Sequence, residues 1–305
     1  MTKHYHSNGK LLISGEYVVL DGALSLALPT KFGQSLRILA TKGKYIRWTG
    51  ISHQGKIWFE AEIDINSLHI SNSTDEKTAK TLANILSAAK KLNPEFLSNT
   101  AGIEVTTTLD FPQDWGLGSS STLINNIASW AEVDAFQLLF DSFSGSGYDI
   151  ACAQSNGALT YQLHKNHPTV TPVDFKSGFS NSLFFVHLNK KQNSREGIAR
   201  YRDHTNTRKK EQAIKNISGI TEAMLKTKSL SDFEKLINQH EDIIASIIGL
   251  PKVKDLHFSD FNGSIKSLGA WGGDFILATG ERAYIHSYFM GKGYNTILSY
   301  HEMIL

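Results

Sequence analysis

The chain has one cysteine, Cys152, in 305 residues. That excludes an intrachain disulfide and a cysteine metal cage, and it fits a reducing compartment. Flanked by Ala151 and Ala153, the thiol reads as a small buried hydrophobe. Net charge is also scarce: 31 Lys and Arg stand against 29 Asp and Glu, for +2. A nucleic-acid binder would show a strong basic excess on one face, and this chain does not. No run reaches the roughly 20 apolar residues a membrane helix needs. Leu11-Leu12-Ile13 is apolar, but Gly15 and Glu16 interrupt it too early for a secretory leader. The expectation is a cytoplasmic protein with no nucleic-acid or membrane partner. Two nucleotide signatures are missing as well. There is no Gly-x-x-x-x-Gly-Lys-[Ser/Thr] segment and no Gly-x-Gly-x-x-Gly. The 12 histidines form no His-x-x-x-His pair on a convincing helix face, so no transition-metal site is expected.

What is present is ordinary enzyme composition, 41% hydrophobic and 20% charged, in a chain long enough for two domains. Lys10 to Leu20 reads as extended, bracketed by Gly9 and Asp21-Gly22. Leu24 to Leu28 alternates and is expected to stop at Pro29. Short strands follow at 34–41, 45–51 and 55–63. A helix spans 75–92 with Thr74 as its cap, and a strand spans 102–109. Helices are expected to begin at the serines, 119–121, and to run over 134–143, then a strand over 158–163. The second half offers a strand at 183–188 and amphipathic helices at 207–227 and 231–248. It continues with a helix at 260–268, a strand at 275–279, a helix at 281–291 and a strand at 294–300. Within the 231–248 helix, His240-Glu241-Asp242 reads as a solvated face. The alternation makes the second half an α/β unit of its own. The boundary is placed at 170, giving domains 1–170 and 171–305.

Two segments carry chemistry. Gly116-Leu117-Gly118-Ser119-Ser120-Ser121 joins an irregular glycine loop to a helix start. Such a terminus offers unpaired N–H groups and partial positive charge to phosphate oxygens, and a serine hydroxyl there can ligate Mg²⁺. Taken alone, it could equally be an ordinary serine-capped helix. Gly145-Ser146-Gly147-Tyr148-Asp149-Ile150-Ala151 presents a carboxylate on a tight turn, able to orient or deprotonate a nucleophile. An isolated Asp after Gly is more often a helix cap.

With Asn8-Gly9-Lys10-Leu11-Leu12-Ile13-Ser14-Gly15-Glu16-Tyr17 before them and Gly269-Ala270-Trp271-Gly272-Gly273-Asp274-Phe275 after them, these segments resemble the ordered motifs of the GHMP kinases. That family includes galactokinase and the homoserine, mevalonate and phosphomevalonate kinases. Gly15-Glu16-Tyr17-Val18-Val19-Leu20, the Gly-Ser-Gly-Tyr-Asp turn and Gly272-Gly273-Asp274 lean toward its phosphomevalonate branch. The chain departs from the pattern at Asn8, Thr122, Trp271 and Phe275. The resemblance implies an α+β, two-domain fold. Its N-terminal domain would be of the ribosomal-protein β-α type and its C-terminal domain ferredoxin-like.

The resemblance also implies ATP-dependent phosphorylation of a small molecule with Mg²⁺. Phosphomevalonate is the first candidate acceptor and mevalonate the alternative. A diphosphomevalonate decarboxylase and a noncatalytic ligand sensor stay open. Gly116, Leu117, Gly118, Ser119, Ser120 and Ser121 would hold the ATP phosphates, with Ser120 on the metal. Gly272 and Gly273 would close on the transferred group. Lys10 and Asp149 are the catalytic candidates. Glu16 would pair with Lys10 or, like Ser146 and Gly147, position substrate. A phosphorylated acceptor needs further cations, and Lys190, Lys191 and Arg195 are the candidates.

Overall fold

The computed structural model describes residues 2–98, 101–175, 178–192, 194–204 and 207–305, with backbone alone at 194 and 195. In chain order the first half comprises β1 (Thr2–Ser14), β2 (Ser25–Ala40), β3 (Tyr45–Ile51), β4 (Ile57–Asp64), β5 (Ile70–Ser73), α1 (Glu76–Leu92), β6 (Ile103–Leu109), α2 (Ser119–Ala131), α3 (Ala135–Ser142) and α4 (Tyr148–Gln154). Then come β7 (Leu159–His164), β8 (His167–Pro172), β9 (Leu183–His187), α5 (Ser194–His204), α6 (Thr207–Lys226), α7 (Leu230–Ile248), α8 (Val253–His257), β10 (Ile265–Ser267), β11 (Phe275–Thr279), α9 (Arg282–Gly291), β12 (Ile297–Ser299) and α10 (Tyr300–Met303). The chain forms two compact units that interleave in sequence. The first is Met1–Gly9, Phe32–Gln113 and Leu117–Gln154; the second is Lys10–Lys31, Asp114–Gly116 and Ser155–Leu305.

In the first unit the strands run β5-β4-β3-β6-β2. β3 and β6 are parallel and the other pairs antiparallel. Leu82, Ile85 and Leu86 of α1 and Ile124 and Ile127 of α2 share one core with Leu36, Ile46, Trp48 and Val105 of the sheet. That burial follows from their helical and alternating spacing. The cap of α1 is Asp75, not Thr74: its carboxylate accepts the Thr78 N–H at 2.7 Å. Thr74 instead accepts the Glu60 N–H.

The second unit holds the β7–β8 hairpin, turned by Lys165 and Asn166 at φ 48° and 64°. Two consecutive left-handed residues suit the twist of a two-residue hairpin turn. A separate antiparallel sheet runs β10-β11-β9-β12. Its core includes Phe184, Val186, Ile276, Phe258 and Phe289. α6 and α7 pack together and bury Ile217, Ile220, Phe233, Ile237 and Ile244. Cys152, in the first unit, is fully buried as expected.

Several expectations are corrected. β1 ends at Ser14, and Val18–Asp21 is a 3-10 turn, so the Lys10–Leu20 run is not one strand. β2 passes through Pro29. The proline falls between the residues paired with β7 (25–27) and those paired with β6 (34–40), so its missing N–H interrupts neither of those two ladders, while β1 also pairs with β2. Residues 260–268 hold β10 and turns rather than a helix. α5 has too weak an apolar stripe to be read from the sequence, because Ile198 and Tyr201 are nearly its only apolar residues. His240 and Glu241 do not lie on a solvated face; they are 0% and 1% exposed. Among the described residues, no helix is long and apolar enough to cross a membrane.

Candidate functional site

The helix start at the serines is as the glycines require. Gly118 takes φ 91°, and α2 begins at Ser119 with no side chain capping its first turn. A left-handed residue at that point favours glycine. Ser120 is exposed, whereas Ser121 is buried and donates its hydroxyl to Asp149 Oδ2 at 2.7 Å. That bond joins the glycine-serine segment to the carboxylate turn, 28 residues away. Among the described residues Ser121 is the hydrogen-bond partner of Asp149. Ser146 and Gly147 are buried beside it, and the Gly147 carbonyl starts α4 by accepting the Ala151 N–H. Thr122 has its own work: its hydroxyl donates to Gln34 Oε1 and the Ser119 carbonyl.

A buried polar network that sequence reasoning missed holds α2 in place. Ser7 donates to Asn126 at 2.8 Å, Asn125 donates to Ser7 at 2.9 Å, and Asn126 donates to the Gln34 carbonyl at 2.9 Å. Buried amides with their partners satisfied fix a backbone more sharply than apolar packing does. Its only sequence signal was Asn125-Asn126 in the middle of an apolar helix face.

In the second unit, Asp274 gathers three of the expected segments. Its backbone takes φ 52°, uncommon for a non-glycine. Its N–H donates to the Lys190 carbonyl at 2.8 Å, and its Oδ1 accepts the Gln192 N–H at 3.2 Å. A Cβ on Gly116 would lie 2.3 Å from its Oδ2, and one on Gly273 would lie 2.5 Å from Gln192 Cβ. Both glycines are therefore required by close approach. Burial pushes the Asp274 carboxyl up, opposed by the Gln192 N–H and by Lys10, Lys191 and His187. Lys10 Nζ is 3.8 Å from the Cβ position of Gly269. Lys190 and Lys191 are exposed. The Arg195 side chain lies outside the described residues. Trp115 packs edge-on against Phe275 at 5.3 Å, and the Asp114 carbonyl faces His187 Nε2 at 3.3 Å. The bulky Phe275 thus supports the loop approaching Gly116. Trp271 is buried, with its indole N–H on the Pro251 carbonyl. Gly272 takes φ 82° beside it.

Glu16 takes Lys266, not Lys10, as its cation: Oε1 lies 2.6 Å from Lys266 Nζ, with both side chains at 0% exposure. His240 Nε2 lies 3.1 Å from Glu16 Oε2 and accepts the Gly15 N–H at 3.0 Å. Glu241 is 3.7 Å from Lys266 and accepts the Ser267 hydroxyl. Burial alone would raise the Glu16 carboxyl, but Lys266 and His240 outweigh it and hold it low. Burial pushes Glu241 up to about 7, against the pull of Lys266. Burial and Lys266 push His240 down to about 4, against the pull of Glu16.

These directions fix a pH dependence. A carboxyl that binds its proton more tightly when folded adds stability at low pH and loses it as pH rises through about 7. The neutral His240 adds stability above its ordinary 6.5 and loses it as pH falls toward about 4. From pH about 8 down to about 7, above the ordinary pKa of His240, the Glu241 effect leads, so Tm should rise as pH falls across that window. Thermal melts of Glu241→Gln should show that rise abolished. An unchanged slope would contradict the assignment.

No family model matches the chain, and no curated protein matches it. Solved structures do. Methanococcus jannaschii mevalonate kinase superposes with TM-score 0.71 at 15% identity, covering 98% of this chain and 97% of that one. Streptococcus pneumoniae phosphomevalonate kinase, in complex with phosphomevalonate and AMPPNP, gives 0.71 at 14%, covering 97% and 99%. The chain has the GHMP kinase fold. Lactococcus lactis galactokinase complexed with galactose gives 0.69 at 13% over 98% and 92%. The GHMP kinase fold is therefore shared with proteins named for different acceptors, and similarity at this level does not choose among them.

Proposed function

We propose that the chain is an ATP-dependent, Mg²⁺-using small-molecule kinase with phosphomevalonate as its acceptor. The observation that carries the reading is the Ser121–Asp149 hydrogen bond within the GHMP kinase fold. It sets the Asp149 carboxylate, which would face the acceptor, against the first turn of α2, where among the described residues no side-chain cap is made. Gly116, Leu117, Gly118, Ser119, Ser120 and Ser121 would receive the ATP phosphates, as helix starts do. Ser120 suits Mg²⁺, which takes few protein oxygens beside substrate phosphates. Its hydroxyl is exposed, while that of Ser121 is committed to Asp149. Bound there, the metal would offset the phosphate charge.

Lys10 would neutralise charge developing as the phosphoryl group moves. Phosphomevalonate presents a phosphate monoester whose second pKa is about 6, so it is mostly dianionic at neutral pH and needs no base. Asp149 would then hold the acceptor rather than deprotonate it. Gly272 and Gly273 would close on the transferred group, and Ser146 and Gly147 would shape the acceptor side. What favours a phosphorylated acceptor is the strapping of Lys190 and Gln192 to Asp274, which keeps Lys191 near the third glycine segment. Lys191→Met should raise the acceptor KM about tenfold with kcat nearly unchanged, the pattern of lost uniform binding. Steady-state kinetics with phosphomevalonate checks this, and an unchanged KM would remove Lys191 from the site. The alternative acceptor is mevalonate, whose alcohol would need Asp149 as a base.

A further inference from the structure

Tyr17 is buried, aromatic and held at φ 64°, ψ −51°. The Val18 N–H donates to the Glu16 carbonyl at 2.8 Å, which closes a three-residue γ-turn with Tyr17 at its centre. That turn is rare and strained for a residue with a bulky side chain. Such conformations persist only where the surroundings over-determine them.

Here the surroundings do so from both sides. On one side, Glu16 is fixed by Lys266 at 2.6 Å, and Lys266 also donates to the Ser267 carbonyl at 2.7 Å. His240 accepts the Gly15 N–H, and a Cβ on Gly15 would lie 2.0 Å from Ser25 Oγ. On the other side, the Tyr17 ring stacks on Tyr201 at 5.9 Å. Gly197 approaches so closely that a Cβ there would lie 2.7 Å from the Tyr17 hydroxyl. Tyr201 is itself tied to Asp21 by a 2.7 Å hydrogen bond. The hydroxyl oxygen placed by all this accepts the Trp271 N–H at 3.0 Å. Trp271 lies between Gly269 and Gly272, at φ 71° and 82°, a conformation that glycine adopts without a Cβ penalty.

We infer that Tyr17 is a positioning residue: its strained turn, clamped by the Glu16–Lys266 pair, sets the backbone of the third glycine segment through the Trp271 amide. The two glycine motifs are thereby coupled through one hydroxyl. For function this rests on the kinase reading above; the structural coupling does not.

Tyr17→Phe keeps the ring and its stacking on Tyr201 and removes only the acceptor oxygen. Hydrogen exchange followed by mass spectrometry on the full chain should show residues 268–275 exchanging about tenfold faster, the scale of one lost hydrogen bond. Exchange across α2, residues 119–131, should stay as in the wild type. With MgATP and phosphomevalonate, kcat should fall about tenfold with the acceptor KM unchanged, because misplacing a segment slows chemistry without removing a contact. Unchanged exchange over 268–275 would overturn the inference. So would an increase spread equally over 119–131, which would mark general loosening. Faster exchange confined to 268–275, with neither protein turning over any acceptor, would uphold the coupling and sink the kinase reading. Wild-type exchange and wild-type kcat in the variant would do the reverse.

Discussion

Lys266→Met is expected to destabilise the second unit by about 3–5 kcal/mol, the usual cost of removing one partner from a buried ion pair. The ammonium sits 2.6 Å from Glu16 and 3.7 Å from Glu241, at 0% exposure. Its loss leaves two buried carboxyl groups with no cation. Glu241 escapes by holding its proton, which burial already favours. Glu16 cannot escape as easily, because His240 Nε2 is already used by the Gly15 N–H. The double variant Glu16→Gln with Lys266→Met should recover much of the loss, since it leaves no uncompensated charge at the Glu16 position. Urea denaturation of both variants checks the prediction. A double variant no more stable than Lys266→Met would mean that packing, not charge, dominates there.

Lys10→Met is expected to lower kcat by about 10²–10³, the loss seen when one preorganised electrostatic group is removed. Asp149→Asn should cost only about tenfold, the scale of one hydrogen bond. The order of the two effects carries the information. An acceptor that arrives as a dianion needs its charge offset more than its proton removed, so the lysine outweighs the carboxylate. An alcohol acceptor reverses this, because losing a general base costs about 10²–10⁴. The asparagine keeps a carbonyl oxygen to accept the Ser121 hydroxyl, so the α2–α4 arrangement should survive. Single-turnover rates of the two variants with the same acceptor decide it. A larger loss for Asp149→Asn would point to mevalonate.

The parts of this molecule readable from sequence are those whose cause is local. Apolar spacing found α1, α2, α6 and α7, and the glycines marked the start of α2 within a residue. The Lys10–Leu20 run misled because Val18, Val19 and Leu20 are strand formers, yet Gly15 and the γ-turn at Tyr17 stop the strand. Pro29 reads as a terminator unless one knows where each partner strand ends. The polar clusters were the least legible. Glu16 meets Lys266 across 250 residues of sequence, and Ser7 meets Asn126 across 119. His240 and Glu241 look like any solvated pair on an amphipathic helix until their partners arrive. The Gly272-Gly273-Asp274 motif by itself gives Asp274 no role. Its use, pressed on Gly116 and bridging to Lys190, depends on contacts that no spacing rule encodes.

The measurement that bears most directly on the proposed function is ADP release with MgATP, coupled and compared across 5-phosphomevalonate, mevalonate, galactose and homoserine. The account predicts turnover with 5-phosphomevalonate well above the other three. Turnover with mevalonate alone would contradict the acceptor, and no ADP release with any of the four would contradict the proposed kinase activity.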